Sequence, residues 1–340
     1  MRTSLFFGLI NVAVAILVCT WLRKEITGIR WLLPQAIISL TLLLIAFVFS
    51  ETLLKFAESQ AYTDSVIYAR SSPYQRIVVT KSGADVRLFL NGNLQFSSND
   101  EYRYHEALVH PAMSLVEKPR HVLVMGGGDG LAVREILKYP LVESITLVDL
   151  DPAVTQLFKS NALLTGLNDN SLRSPKLTLI NQDAFIWIKD HNKLYDIVII
   201  DFPDPSNYSL GKLYTTTFYR ELSGILEPSG VAVVQSTSPY FARKSFWIID
   251  ETLQKAGFHT LPYHAYIPSF GEWGYVIASR SLISDTLGPL PGKLRFLSPD
   301  AFQQMKFFPP DMARVKAGHN SLNNQLLVQV FEQEWSNYQP

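Results

Sequence analysis

The chain has 340 residues, enough for about two domains. Its 30 Lys and Arg balance 30 Asp and Glu, which argues against a protein built to grip nucleic acid through a basic surface. A hydrophobic content of 47% with 18% charged residues excludes a disordered chain, and a single cysteine excludes an internal disulfide framework or a Cys-based zinc cluster.

Five of the charged residues (Arg2, Arg23, Lys24, Glu25 and Arg30) fall in the first 50 positions. They leave two uncharged stretches, residues 3–22 and 31–50, each 20 residues long. At about 1.5 Å per helical residue each can cover the ~30 Å hydrocarbon core of a bilayer. Two such segments fit a secretory signal poorly, and Trp21 and Trp31 stand at the loop-side ends where interfacial anchors belong. The alternative is a pair of buried core helices. A transmembrane hairpin over residues 1–56 is the expectation. Its orientation is nearly balanced by charge, with Arg23, Lys24 and Arg30 in the loop against Arg2, Lys55 and Arg70 on the flanks.

Residues 57–116 read as a small antiparallel β unit followed by a helix. Arg76-Ile77-Val78-Val79-Thr80 and Val86-Arg87-Leu88-Phe89-Leu90 are strand-like, and Asn91-Gly92-Asn93 is a hairpin turn signal. Residues 101–116 are helical, ended by Lys118-Pro119.

From residue 117 to 280 strands alternate with helices. Apolar runs at 121–125, 144–148, 177–180, 197–200, 230–234 and 275–278 predict strands covered on both faces. The fold class is α/β, a doubly wound, mostly parallel Rossmann-like sheet of methyltransferase type, whose ligands lie beyond the carboxyl ends of the strands. Residues 281–340 read as an appended helical tail with Pro-rich joints.

Four strand ends carry marks together. Gly126-Gly127-Gly128-Asp129-Gly130 allows tight turning and close approach of a ligand. Asp149 ends the second strand, where a carboxylate can take both ribose hydroxyls, while Asp151 reads as the cap of the helix opening at Pro152. Asp183, with Ala184 after it, ends the third strand, where a carboxylate can accept from an adenine amino group. Asp201-Phe202-Pro203-Asp204-Pro205 is a stiff acidic loop after the fourth. A nucleoside without phosphates suits this site, because Asp129 would repel a pyrophosphate.

These residues, with Tyr74-Gln75, Leu90-Asn91-Gly92-Asn93-Leu94-Gln95 and Asp100-Glu101-Tyr102-Arg103-Tyr104-His105-Glu106, resemble the polyamine aminopropyltransferases, the spermidine synthase family, in order and spacing across roughly residues 60–280. The likeness is strongest to bacterial members with transmembrane helices ahead of the catalytic part. It implies transfer of an aminopropyl group from decarboxylated S-adenosylmethionine, a co-substrate, to an amine such as putrescine, giving spermidine and methylthioadenosine. No cofactor and no metal are expected, since the sulfonium already activates the leaving group. Asp201 matches the family's proton acceptor and Asp204 its partner at the acceptor amine. Asp129 matches the holder of the aminopropyl ammonium, so it faces donor and acceptor alike. Gln75, Asp149, Asp183 and Ala184 match positions around the thioadenosine, and Tyr104 and His105 positions facing the polyamine. Phe270 and Trp273 stand where the family has aromatics along the amine channel. The resemblance further implies a homodimer in the cell membrane with its catalytic domain in the cytoplasm. Two departures stand out: Asp149 replaces the family's usual Glu, and residues 205–212 replace a Gly-Pro-rich stretch. The rival readings are an S-adenosylmethionine-dependent methyltransferase and a catalytically inactive membrane protein that keeps the nucleotide fold. Asp129 disfavours the first, because it would repel the carboxylate of an unaltered donor. Asp201 and Asp204, both present, weigh against the second.

Overall fold

The structure, a computed structural model, describes residues 2–23, 29–53 and 62–337. Lys24 and Lys55, which enter the charge balance of the hairpin, lie outside the described residues. By packing, the chain divides into two compact units, Met1–Arg70 with Val78–Val86, and Ser71–Ile77 with Arg87–Pro340.

In the first unit, helices Arg2–Trp21 and Ile29–Val48 cover the two uncharged stretches. Their windows Thr3–Trp21 and Trp31–Val48 have mean hydropathies of 2.1 and 2.2 and are 0% buried, so both helices are long and apolar enough to cross a membrane. Helices of a soluble core would hide such residues, whereas Leu17 and Leu42 are both more than 60% exposed.

The small sheet is formed by β1 (Ser65–Ser71), β2 (Arg76–Ser82), β3 (Asp85–Leu90) and β4 (Asn93–Ser97), in that order. β3 and β4 pair antiparallel across a two-residue turn. Asn91 and Gly92 have φ of 53° and 86°, the two left-handed positions that a hairpin turn of this type requires.

The second unit is organised by a seven-stranded sheet. Its strands are β5 (His121–Gly126), β6 (Ser144–Asp149), β7 (Leu177–Asn181), β8 (Tyr195–Asp201), β9 (Leu226–Gln235), β10 (His259–Ile267) and β11 (Gly271–Ser279). The order is β10-β11-β9-β8-β5-β6-β7. β5 through β9 run parallel, and β11 and β10 close one side antiparallel. All six expected strands are present. β10 is additional. It carries Pro262 and occupies the sheet edge, where a residue without an N–H is tolerated.

Helices cover the sheet because its strands are apolar on both faces. Phe218 and Leu222 of Thr216–Ile225, and Phe246, Ile249 and Leu253 of Arg243–Lys255, are buried in one cluster with Val198, Ile200 and Val234. Helix Glu101–Ser114 belongs to this unit, and its Glu106 accepts the backbone N–H groups of Arg295, Phe296 and Leu297 at 2.8, 2.8 and 2.9 Å. That carboxylate ties down the start of the C-terminal tail. Among its described residues the tail is mostly irregular, with helices at Pro299–Met305 and Leu326–Ser336.

The chain leaves β5 toward β6 and β7, then returns through β8 on the other side. β5 and β8 are therefore neighbours that send their connections in opposite directions, which makes the crevice between their carboxyl ends the switch point of the sheet.

Candidate active site

Gly126 ends β5 beside Asp201 at the end of β8. Its φ is +79°, and a Cβ there would lie 2.1 Å from the Asp201 carbonyl oxygen, so only glycine fits. At Gly128 a Cβ would lie 2.6 Å from the Asp149 carboxylate. Instead the Gly128 N–H donates to Asp149 Oδ2 at 3.1 Å and the Asp151 N–H to Oδ1 at 2.8 Å. The glycine loop is thus folded around the strand-end carboxylates.

Asp201 is oriented by Tyr104. The tyrosine hydroxyl donates to Oδ1 at 2.5 Å. Oδ2 lies on the Gly127 side, 3.1 Å from where a Cβ there would stand. Among the described residues the Tyr104 bond to Oδ1 is the side-chain hydrogen bond that holds this carboxylate. Enclosure by protein pushes the Asp201 carboxyl up to about 6, with His105 drawing it down, Asp129 adding to the rise and the Tyr104 bond opposing it. Asp149 is likewise pushed up to about 6 by burial, and burial also raises Asp129. Asp129 Oδ1 accepts the Leu131 N–H at 2.9 Å. Asp129 interacts electrostatically with Asp149, Asp201 and His105, so these four side chains form one cluster at the switch point.

Asp204 lies one step away. Gln235, the last residue of β9, donates from Nε2 to Asp204 Oδ1 at 3.2 Å and to the Phe202 carbonyl at 2.9 Å. Burial pushes Asp204 up to about 7, against the Gln235 bond. Tyr214 feels both Asp204 and Asp201, and burial together with these charges raises its hydroxyl well above the usual range.

Gln75 reaches Asp151, whose N–H binds Asp149. It donates to Asp151 Oδ2 at 3.0 Å, beside the Ser72 hydroxyl at 2.6 Å. Asp151 caps its helix, accepting the Ala153 N–H at 2.9 Å, and also anchors the Gln75 segment. Asp183 caps the short helix Ala184–Trp187 by accepting the Phe185 N–H, and its Oδ2 lies 2.5 Å from Lys212 Nζ. Ala184 is buried directly after it. Lys212 belongs to residues 205–212, the segment that departs from the family pattern, so that departure reaches Asp183.

Aromatic rings border the cluster. Tyr104 lies 5.6 Å from Tyr275 and 6.4 Å from Phe270, and Phe270 lies 5.2 Å from Trp273, centroid to centroid. Among the described residues no group of three or more His, Cys, Asp or Glu side chains could hold a metal ion. Two open grooves of about 490 and 390 Å³ run beside helix Arg243–Lys255, and neither is lined by any of the cluster's carboxylates.

Residues 101–284, which carry this cluster, match the spermine/spermidine synthase domain. The chain belongs to the spermine/spermidine synthase family. It is 50% identical over 337 residues to the polyamine aminopropyltransferase of Leptospira interrogans, covering 99% of this chain and 67% of that protein. It is 48% identical over 341 residues to polyamine aminopropyltransferase 2 of Ralstonia nicotianae, covering 98% and 66%. The chain therefore spans about two thirds of the length of these curated relatives. A spermidine synthase crystallised with the transition state analogue AdoDATO superimposes with a TM-score of 0.68 at 25% identity, over 72% of this chain and 86% of that one. The spermidine synthase of Thermotoga maritima gives 0.66 at the same identity.

Three holding residues escaped the sequence reading: Glu101, which binds His105; Gln235, which binds Asp204; and Lys212, which binds Asp183. Only Glu101 left a signal, since it stands four positions before His105 on one helix face.

Proposed function

We propose that this chain transfers the aminopropyl group of decarboxylated S-adenosylmethionine to an amine such as putrescine. The observation that carries the reading is Asp201, held at one oxygen by Tyr104, beside Asp129 in the glycine loop. The amine nitrogen forms a bond to the propyl carbon next to sulfur as the carbon–sulfur bond breaks. The electron pair goes to sulfur, which leaves as the neutral thioether of methylthioadenosine. Asp201 Oδ2 takes the amine proton, because only the neutral amine is a nucleophile and its ordinary pKa is about that of Lys, ~10.4. Asp129 balances the aminopropyl ammonium, Asp149 and Asp183 take the ribose and adenine, and Asp204 takes the far ammonium of the acceptor.

The test is purified full-length protein incubated with the decarboxylated donor and a panel of amines, with products identified by mass. Spermidine and methylthioadenosine from putrescine are expected. Methylated products from ordinary S-adenosylmethionine would replace this reading with the methyltransferase one.

As part of the same reading, the two apolar helices cross the cell membrane with both ends of the hairpin in the cytoplasm, where donor and polyamine are made, and the protein is a homodimer. Single cysteines at Thr27 and Ser59, in a Cys19→Ser background, report the sidedness in intact cells. Labelling by an impermeant thiol reagent at position 27 alone is expected, and labelling at 59 alone reverses the topology.

A further inference from the structure

His105 is buried on helix Glu101–Ser114, and its Nδ1 lies 2.9 Å from the Glu101 carbonyl oxygen and 2.7 Å from Glu101 Oε2. A carbonyl oxygen can only accept. The carboxylate is ionised, because Arg134 holds it with two parallel bonds, Nη1 to Oε1 and Nη2 to Oε2, both 2.9 Å. Burial opposes that ionisation, but the bonds and charges of His105 and Arg134 outweigh it and lower the Glu101 carboxyl. Both partners of Nδ1 are therefore acceptors, and Nδ1 carries its hydrogen whatever the charge of the ring. The proton that comes and goes on His105 is the one on Nε2.

The groups around the ring make the consequence specific. Glu101 and Tyr104 face it from its own helix. Asp129 comes from the glycine loop and Asp201 from the end of β8, while Arg134 reaches it through Glu101 and Tyr275 through Tyr104. Burial lowers the affinity of the ring for a proton. The Glu101 bond and charge, with Asp129 and Asp201, overcome this and raise His105 to about 8. The empty acidic cleft thus contains a cation of its own.

We propose that Glu101 is a positioning residue which, by fixing the Nδ1–H of His105, makes Nε2 an exchangeable proton carrier, loaded in the empty site and unloaded when the cationic substrates enter. This rests on the aminopropyl-transfer reading for the identity of those cations. A donor with a sulfonium and an ammonium, and a diammonium acceptor, bring positive charge to the carboxylates that His105 neutralises. The imidazolium then gives its Nε2 proton to solvent, and the neutral nitrogen becomes an acceptor facing the amine.

The experiment uses full-length protein in detergent with ¹³Cε1- and ¹⁵N-labelled histidine, the His105→Gln variant identifying the His105 signal among the seven histidines. In the wild type, His105 should titrate near 8 and stay Nδ1-protonated through the transition. In Glu101→Gln the midpoint should fall by at least about one unit, since the removed charge raised it. Putrescine is the cation of the probe pair, methylthioadenosine being neutral, and adding both at pH 7 should convert the wild-type signal to the neutral form. Calorimetry in buffers of different ionisation enthalpy should then read about 0.9 more protons released by wild type than by His105→Gln, as follows from a group at about 8. An unmoved midpoint in Glu101→Gln, an Nε2–H neutral tautomer, or a ring that stays protonated with both ligands bound overturns the proposal. If Glu101→Gln does not fold, the wild-type tautomer and its response to ligands decide alone. If methylthioadenosine and putrescine do not bind at all, the aminopropyl-transfer reading falls, while the titration of the empty protein still judges the Glu101–His105 coupling.

Discussion

Removing one hydroxyl, in Tyr104→Phe, tests whether Asp201 works as the geometry implies. The Tyr104 hydroxyl donates to Asp201 Oδ1 at 2.5 Å and opposes the upward push of burial on that carboxyl. A hydrogen bond to a charged group contributes roughly 1.5–3 kcal/mol. At about 1.36 kcal/mol per pKa unit, its loss raises the carboxyl by about 1–2 units. Asp201 would then ionise near 7–8 instead of about 6. The kcat/KM profile reports groups of the free enzyme, so its acidic limb should move up by that amount. At pH 6 the variant should lose about 5- to 50-fold relative to wild type. At pH 9, where both carboxyls are ionised, only a small loss should remain, because the phenylalanine ring keeps the contacts with Phe270 and Tyr275. Asp204 titrates in the same window, at about 7, so the comparison is repeated in an Asp204→Asn background. An acidic limb that stays at its wild-type position while activity falls equally at every pH would refute the reasoning, and would place the Tyr104 hydroxyl on the substrate.

Asp201→Asn keeps the acceptor for Tyr104 but removes basicity. Turnover should fall by ~10²–10⁴ while methylthioadenosine binding, measured by calorimetry, persists; more than a tenth of wild-type turnover would sink the assignment. Asp129→Asn should narrow the preference for the decarboxylated donor over S-adenosylmethionine. The charge pair is worth about 1–3 kcal/mol in the enclosed cleft, a change of about one to two powers of ten in the ratio of the two dissociation constants, and equal wild-type affinity for both donors contradicts it.

Much of the site was legible because its marks are local. A glycine run after a strand, or an acidic residue at a strand end, carries its meaning within a few positions, and the parallel order of the sheet then brings those ends together. Asp129, Asp149 and Asp201 meet for that reason. The residues that hold Asp183, Asp204 and Glu101 were not legible. Lys212 and Asp183 are 29 positions apart, Gln235 and Asp204 31, and Arg134 and Glu101 33, with nothing in a linear pattern to link a lysine or a glutamine to one carboxylate rather than another. Asp151 was read as a cap and is one, yet the same carboxylate also receives Ser72 and Gln75 from 79 and 76 positions away. β10 escaped because Pro262 interrupts its pattern and an edge strand needs no continuous apolar run.

The cleft's chemistry has a stability cost with a definite sign. Asp149, Asp201 and Asp204 have native carboxyls raised to about 6, 6 and 7, above the ordinary value near 3.9. A raised carboxyl means that the folded chain binds its proton more tightly than the unfolded chain. Stability is therefore greatest at low pH and is lost as pH rises through the native values. His105, raised to about 8, acts in the same direction, its contribution being complete below about 6.5 and lost through 8. Glu135, lowered to about 2, acts oppositely but only below about pH 4.5, outside the working range. Between pH 5 and 8 the site groups thus pull one way, and the empty protein should melt at progressively lower temperature. Asp204 alone, raised about three units and partly open to the cleft, accounts for roughly 2–4 kcal/mol at pH 8. Asp204→Asn keeps an oxygen for Gln235 and should raise the melting temperature at pH 8 by several degrees, while changing it little at pH 5. Putrescine is a dication and neutralises the same carboxylates, so putrescine, bound beside the neutral methylthioadenosine, should stabilise the wild type more at pH 8 than at pH 5. A wild-type melting temperature that rises from pH 5 to 8, with Asp204→Asn destabilising at both, would mean that these carboxylates are already compensated in the empty protein.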